Sequence, residues 1–267
     1  MSIATQDMSR LEPRELRRLT RSGEWRRPTT GLCRGAAQAN LVILPEADAF
    51  DFFLFAQRNP RACPLIEVTE PGMTEPEGVA AGADLRSDLP EYRVYEYGED
   101  VAAVPDISGH WRDDLVSFLI GCSFTAEAAL LDAGVRLRHL ELDRAVPMYL
   151  TARACRPAGR FHGPLVVSMR PILQTQLVHA VQVTSRFALA HGGPVHVGDP
   201  AALGIADLGS PDWGEPVPVE AGYVPVFWAC GVTPQAVARQ SRPELMITHS
   251  PGHMFVTDVP DRELAVF

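Results

Sequence analysis

The sequence predicts an α/β fold, because stretches that favour strands and stretches that favour helices alternate along most of the chain. Apolar residues make up 46% of the 267 residues and charged residues 21%, which are ordinary values for a globular protein with a substantial core. Residues 135–190 depart from the alternation, with two strands followed by one long helix. We therefore expect residues 1–134 and 191–267 to form the main α/β domain, and residues 135–190 to form a small inserted two-layer domain.

In the first half of the chain, hydrophobic spacing and turn residues define the predicted elements. Residues 10–27 predict a helix docked on the surface, because Leu11, Leu16 and Leu19 form a narrow apolar stripe between arginines and glutamates. After Pro45 a second helix is predicted, ending near residues 58–60, with an apolar face of Phe50, Phe53, Leu54 and Phe55. Residues 41–44 are an apolar run that ends at Pro45. The remaining predictions are strands at 65–68 and 92–97, helices at 111–120 and 124–132 with Gly134 as C-cap, and a loop over 71–90.

In the second half, strands are predicted at residues 146–151, 164–169, 224–230, 245–249 and 254–259, and a long amphipathic helix at 173–189. Between two of these strands, Thr233 and Pro234 are typical of an N-cap followed by a first-turn proline. These elements continue the α/β pattern to the end of the chain.

Charge and composition exclude several classes of function. The net charge of −9 argues against a nucleic-acid footprint. No apolar run approaches the roughly 18 residues of a membrane span, and the N-terminus lacks the apolar core of a secretory signal. Five widely spaced cysteines do not suggest a disulfide framework, so we expect a protein of the reducing cytoplasm. Oligomerisation is left open.

All 24 basic residues are arginine, and lysine is absent. No lysine aldimine with pyridoxal phosphate, no Schiff-base nucleophile and no phosphate-loop lysine can therefore exist. We predict no cofactor, and any anionic substrate must be held by arginine, histidine or backbone amides.

Two cysteines stand in the same local pattern, at Cys122 and Cys230. Each ends an apolar run and is followed three residues later by a threonine, Thr125 or Thr233, that can open a helix. A thiol beside a helix N-terminus meets free N–H groups and a positive dipole, which lower its pKa. Two such thiols could face one substrate. In the alternative interpretation both are small buried apolar side chains.

The stretch from His191 to Pro200 is the richest in glycine. Gly192 and Gly193 could turn backbone N–H groups toward a carboxylate and form an anion nest, with His191, His196 and Asp199 beside it. The alternative interpretation makes the glycines a helix C-cap and residues 199–200 a turn.

His249 and His253 have the spacing of a helical zinc site, but the proline and glycine between them forbid that helix. On a tight turn the two imidazoles could still transfer protons near neutral pH. A metal bound by some of His191, His196, His249, His253 and Asp258 is conceivable. No ligand spacing supports it, and we predict no metal.

Arg170 ends a predicted strand, where a guanidinium can clamp a carboxylate with two hydrogen bonds. The alternative interpretation is a surface ion pair. Ser123, next to Cys122, and Asp258 complete the predicted substrate-binding set.

At these motifs the chain resembles a bacterial family whose members are called hydro-lyases, similar to the catalytic part of mitochondrial D-glutamate cyclase. The resemblance implies a three-layer α/β/α sandwich carrying a smaller two-layer domain, and loss of water from a small amino or hydroxy dicarboxylic acid. It implies no catalytic residues. The matching segments are QANLVILP at 38–45, QRNP at 57–60, CPLIEVT at 63–69, DI at 106–107, GCSF at 121–124, GPLVVSMR at 163–170, HGGPVHVGDP at 191–200 and HSPGHMFVTD at 249–258.

Three functions remain open. The first is a cofactor-free lyase that closes D-glutamate to 5-oxo-D-proline, with Cys122, His249 and His253 as catalytic residues. The second is a cofactor-independent amino-acid racemase, in which Cys122 and Cys230 act on opposite faces of Cα. That resemblance is partial, because the Cys-Asn-Thr and Cys-Thr-His signatures of those racemases are absent. The third is a module that binds a small carboxylate without reaction.

Overall fold

The computed structural model describes residues 8–266 and builds them around two antiparallel sheets. The larger sheet has seven strands in the order β2-β5-β1-β10-β3-β4, and β11 also pairs with β1. This arrangement confirms the mixed α/β class. The strands of the larger sheet are β1 (Ala36–Pro45), β2 (Leu65–Val68), β3 (Tyr92–Glu96), β4 (Glu99–Val104), β5 (Leu115–Gly121), β10 (Leu245–His249) and β11 (Phe255–Pro260).

The smaller sheet has four strands in the order β6-β7-β9-β8. Only its first two strands come from residues 135–190, because β8 and β9 follow later in the chain. The predicted domain boundaries stay a prediction, and a division by sheets would extend the second unit to residue 229. The strands are β6 (Met148–Ala154), β7 (Pro164–Leu173), β8 (His196–Val197) and β9 (Tyr223–Ala229).

Helices and loops cover the larger sheet. On one face Phe52 and Phe55 of the second helix pack with Phe118 of β5, and on the other face a loop over residues 79–89 covers Leu41 and Ile43. No helix within residues 8–266 is long and apolar enough to cross a membrane. The helices are α1 (Pro13–Arg21), α2 (Glu46–Arg58), α3 (Glu127–Asp132), α4 (Arg138–Glu141), α5 (Leu177–Ser185) and α6 (Thr233–Ser241).

Residues 111–120 are the clearest error of the sequence prediction. They were expected to form a helix, but Leu115–Gly121 is β5, which lies between β1 and β2 and is buried at every residue. A strand covered on both faces is a continuous apolar run, and periodicity alone cannot distinguish such a run from a buried helix.

The apolar face of α2 was predicted correctly only in part. Phe55 is buried and Leu54 is partly buried against the same core, but Phe50 and Phe53 are 72% and 40% exposed, and Phe52 and Ala56 complete the buried face. Thr233 is likewise not the N-cap of α6: Val232 takes that position, and the Thr233 hydroxyl bonds to the Cys230 carbonyl at 2.7 Å.

Candidate active site

A cavity of ≈ 70 Å³ lies where the two sheets meet, and it contains both thiols of the repeated pattern. This volume has room for about five water molecules, so it suits a small metabolite. None of the lining residues is charged. They are Pro28, Thr30, Asn40, Cys122, Ser123, Phe124, Ala145, Val146, Met148, Ser168, Gly214, Cys230, Val232, Pro251, Gly252 and Met254.

The two cysteine turns have the same hydrogen bonds. The N–H of Cys122 donates to the Gln38 carbonyl at 3.1 Å, and that of Cys230 donates to the Val166 carbonyl at 3.0 Å. Each threonine hydroxyl then accepts the N–H of the same partner residue: Gln38 to Thr125 at 3.0 Å, and Val166 to Thr233 at 3.1 Å. The Cys-x-x-Thr pattern is therefore one local structure used twice.

Strand register extends this equivalence. Ala39 of β1 pairs with Gly121 of β5, and Val167 of β7 pairs with Ala229 of β9. In both units the strand pair thus ends at a cysteine whose thiol lines the cavity. Asn40 and Ser168 occupy equivalent positions on β1 and β7, and both also line the cavity. The site is built from two similar strand–turn units, one from each sheet.

Burial gives both thiols the opposite pKa shift from the one predicted. The Phe124 N–H donates to the Cys122 sulfur and lowers its pKa, as expected beside a helical turn, but burial outweighs it and raises the pKa to about 12. Burial likewise raises the pKa of Cys230 to about 11, against the hydrogen bond from the Val232 N–H. At neutral pH both groups are thiols rather than thiolates.

Arg170 lies behind the cavity wall and is not on the protein surface. Its Nε and Nη2 donate to Glu127 Oε1 at 3.0 and 2.6 Å, and Trp228 lies 5.6 Å from its guanidinium carbon. Burial alone would raise the pKa of Glu127, but His139 and Arg170 lower it to about 2, so the carboxylate is charged. Because the guanidinium is paired inside the protein, Arg170 does not line the cavity itself.

Gly231 allows the two units to approach closely. A Cβ at this position would overlap the side chain of Asn40. The Asn40 amide donates to the Gly121 carbonyl at 2.7 Å and to the Ile120 carbonyl at 3.3 Å, which holds it at the end of β5. The glycine of the second turn is therefore a contact residue of the first unit.

The two histidines of the 249–253 turn are not among the residues that line the cavity. His249 is fully buried, and its Nδ1 lies 3.2 Å from the N–H and 3.3 Å from the carbonyl of Leu41. On β1, Leu41 lies between the residues that pair with β10 and those that pair with β11, and the His249 side chain bonds to its backbone in place of a strand. Burial lowers the pKa of His249 to about 4 and also lowers that of His253, whose Nδ1 bonds to the Pro251 carbonyl. Their predicted role in proton transfer stays untested.

The glycine-rich stretch also lies outside the cavity lining. The Gly192 N–H closes the preceding turn by donating to Phe187, and Arg61 donates to the carbonyls of His191 and Gly193. Burial lowers the pKa of His191 to about 4. These contacts match the C-cap interpretation better than an anion nest.

The other predicted binding residues have structural partners as well. Asp199 caps its own turn by accepting the Ala201 N–H, and His196 bonds to the Asp199 carbonyl. Asp258 accepts two hydrogen bonds from Arg17 and so fastens α1 to β11. Of the predicted binding residues, the structure brings only Ser123 to the cavity beside Cys122. No group of three or more histidine, cysteine or acidic side chains within residues 8–266 is arranged to hold a metal ion.

Two residues that sequence reasoning did not select, Asn40 and Ser168, line the cavity. Both lie inside segments that match the family, at 38–45 and 163–170, but each strand carries a second polar residue, Gln38 or Arg170, so the sequence does not single them out. Such a position, where a buried polar side chain needs a partner, was the available signal.

The structure thus defines a two-sheet α/β protein with a cavity that contains two cysteines where the sheets meet. The family model for D-glutamate cyclase matches residues 116–258, which include Cys122, Cys230, Ser168 and Arg170. This chain belongs to the D-glutamate cyclase family.

Its relatives align over nearly their whole length. A protein named "Putative hydro-lyase" from Thermoanaerobacter sp. is 60% identical over 255 residues, which cover 96% of each chain. Another with this name, from Psychrobacter arcticus, is 55% identical over 260 residues, which cover 97% of this chain and 99% of the relative. A solved nitrogen repressor-like protein from Methanococcus jannaschii covers 92% of this chain and 97% of its own, but at 8% identity and a TM-score of 0.39 it bears on neither fold nor function.

Proposed function

We propose that this protein is a lyase that closes D-glutamate to 5-oxo-D-proline with loss of water, in the cavity between the two sheets. The name of the matching family supports the reaction, and the names of the relatives support loss of water. The observation that carries the proposal is the cavity itself, which combines two thiols with the hydroxyls of Ser123 and Ser168.

The reaction replaces one C–O bond by one C–N bond, and otherwise only protons move. The amine nitrogen attacks the γ-carboxyl carbon, a C–N bond forms, and the C–O bond breaks. Two of the three ammonium protons end on the departing oxygen, which leaves as water. Holding the amine against the carboxyl in one cavity supplies much of the rate acceleration.

The raised pKa of Cys122 supports one of its two predicted roles over the other. A thiol that stays protonated can donate to the departing oxygen and then recover a proton from the amine. It is a poor nucleophile, because the thiolate is the species that attacks carbonyl carbon. We therefore assign Cys122 the role of acid rather than of thioester carrier.

Mass spectrometry of the pure protein with D- and L-glutamate tests the proposal. We expect loss of one water from D-glutamate, and a rate at least about 100-fold lower for Cys122→Ala, in line with loss of a general acid. Cys33→Ala is the matched control, since this thiol is also buried but lies outside the cavity lining. An unchanged mass with every acid supplied would reject the lyase, and binding without turnover would instead support the carboxylate-binding module.

The two similar strand–turn units, which bring Cys122 and Cys230 to one cavity, favour the two-thiol racemase as the second candidate. In that reaction one sulfur, as a thiolate, removes the Cα proton, and the other, as a thiol, returns a proton on the opposite face. The raised pKa values of Cys122 and Cys230 count against this candidate, because burial disfavours the thiolate that it needs. Deuterium incorporation at Cα in heavy water would reveal it. Cys230→Ser should abolish this exchange, whereas water loss that depends on Cys122 should persist.

A further inference from the structure

Two hydroxyls on the cavity wall share one buried cation. Arg170 donates from Nη1 to Ser168 Oγ at 3.1 Å and from Nη2 to Ser123 Oγ at 3.0 Å. A guanidinium has five donors and no acceptor, so each serine oxygen must accept from it. Each hydroxyl proton is then left to point elsewhere. Within residues 8–266 neither hydroxyl donates to a protein acceptor, and both side chains line the cavity.

The surroundings of the two serines favour an anion. The cavity lining contains no acidic side chain, and the charged carboxylate of Glu127 behind it is neutralised by Arg170, so the two hydroxyl donors rather than a net positive charge favour the anion. Behind the wall, Glu127 takes two donors of Arg170, and His139 Nε2 lies 3.1 Å from the same carboxylate oxygen. This buried cluster holds the guanidinium in place, and its hydrogen bonds polarise the serine hydroxyls toward the cavity.

The cation breaks the similarity of the two strand–turn units. Arg170 stands four residues after Val166 on β7, and the equivalent position on β1, four residues after Gln38, is Val42. The two corresponding contacts between the units also differ. At one contact Asn40 of β1 packs on Gly231, and at the other Ser168 of β7 and Ser123 both bond to Arg170. One end of the cavity is therefore suited to an anion and the other to a neutral group.

We propose that Ser123 and Ser168 form a carboxylate subsite and that Arg170 is the positioning residue that turns both hydroxyls into donors. The subsite takes one carboxylate of a small dicarboxylic acid and sets which end of the substrate faces the asparagine. It rests on the proposed function only for the choice of ligand, because carboxylate binding requires no turnover.

Calorimetric titration with glutarate and with its diamide, glutaramide, tests the subsite without any reaction. The wild-type protein should bind glutarate more tightly than the diamide. Ser123→Ala and Ser168→Ala should each weaken glutarate binding by about ten-fold or more, the usual size of a hydrogen bond to a charged group, and leave diamide binding nearly unchanged. Ser117→Ala is the matched control, since this buried hydroxyl has no partner and lies outside the cavity lining.

The ratio of the diamide to the glutarate dissociation constant also distinguishes a variant that has lost the subsite from one whose fold is generally disturbed. A variant that merely loosens the fold weakens both ligands alike, whereas loss of the subsite lowers the ratio. Arg170→Gln combined with Glu127→Gln removes the buried pair as a unit and should lower the ratio as the serine variants do. Serine variants that keep the wild-type ratio would overturn the subsite, whether or not the protein releases water from D-glutamate. Failure of water loss with a collapsed ratio would reject the lyase and leave the subsite standing.

Discussion

At the scale of single residues, burial rather than local sequence decides the state of the chemical groups. A cysteine beside a helical turn is expected to have a low pKa, and the hydrogen bonds that produce this effect are present at Cys122 and Cys230. Both thiols nevertheless lie within the protein, where removing the charged form from water costs more than one N–H donor returns. The motif therefore predicts the contact correctly and the protonation state wrongly.

Alkylation with iodoacetamide measures this state at each cysteine. Since the pKa values of about 12 and about 11 leave very little thiolate, we expect Cys122 and Cys230 to react at pH 8 at least about 100-fold more slowly than in the unfolded chain. The rate should climb steadily as the pH is raised. The urea-unfolded protein is the control, and fast labelling of Cys122 at neutral pH would contradict its assignment as an acid.

At the scale of elements, the two strand–turn units explain the arrangement of the site. In each unit a strand pair ends at a cysteine. The threonine three residues later closes the turn, because its hydroxyl accepts an N–H from the neighbouring strand. The sequence shows the shared cysteine and threonine but not the shared strands, because β5 has an apolar run that also suits a helix. Pairing with β1 and β2, a long-range interaction, selects the strand.

Substitution of Gly231 tests the contact between the units. In Gly231→Ala the new methyl group must displace Asn40 from its bonds to the Gly121 and Ile120 carbonyls. We expect a loss of about 2 kcal/mol in the free energy of unfolding, and a marked fall in water-loss activity, because buried carbonyls lose their donor. Urea denaturation and the mass-spectrometric assay measure the two effects.

Gly109→Ala is the control for this change. A Cβ at Gly109 meets no atom within 4 Å, so this variant should differ little from wild type in either measurement. Equal behaviour of the two variants would show that Asn40 is not held against the second turn.

At the scale of the whole molecule, buried neutral histidines link stability to pH. The pKa values of His191 and His249 are lowered by burial from 6.5 to about 4. Between pH 6.5 and pH 4 these two histidines are therefore protonated in the unfolded chain but not in the folded protein. Their contribution to stability is complete above pH 6.5 and is lost as the pH falls toward 4.

Urea denaturation at pH 7 and pH 4.5 measures this dependence. We expect the free energy of unfolding to fall on acidification by up to the order of 3 kcal/mol for each of the two histidines. In His249→Gln the fall should be smaller, since one of the two groups is removed. The exposed His179 provides the control: His179→Gln should keep the wild-type dependence, and an equal slope in all three proteins would contradict the role of His249.

The sequence by itself determined the mixed α/β class, the family and the repeated Cys-x-x-Thr pattern, because these depend on local spacing and on motifs that are contiguous in the chain. The absence of lysine also left arginine as the only strong cation available to the site. Only the tertiary structure decided which of the chemically active residues share one cavity. It brought Asn40, Ser123 and Ser168 to the two thiols, and left the glycine-rich stretch and His249 with structural partners. The physical reason is that strand register and burial depend on residues far apart in the chain, and burial sets both the position and the charge of each group.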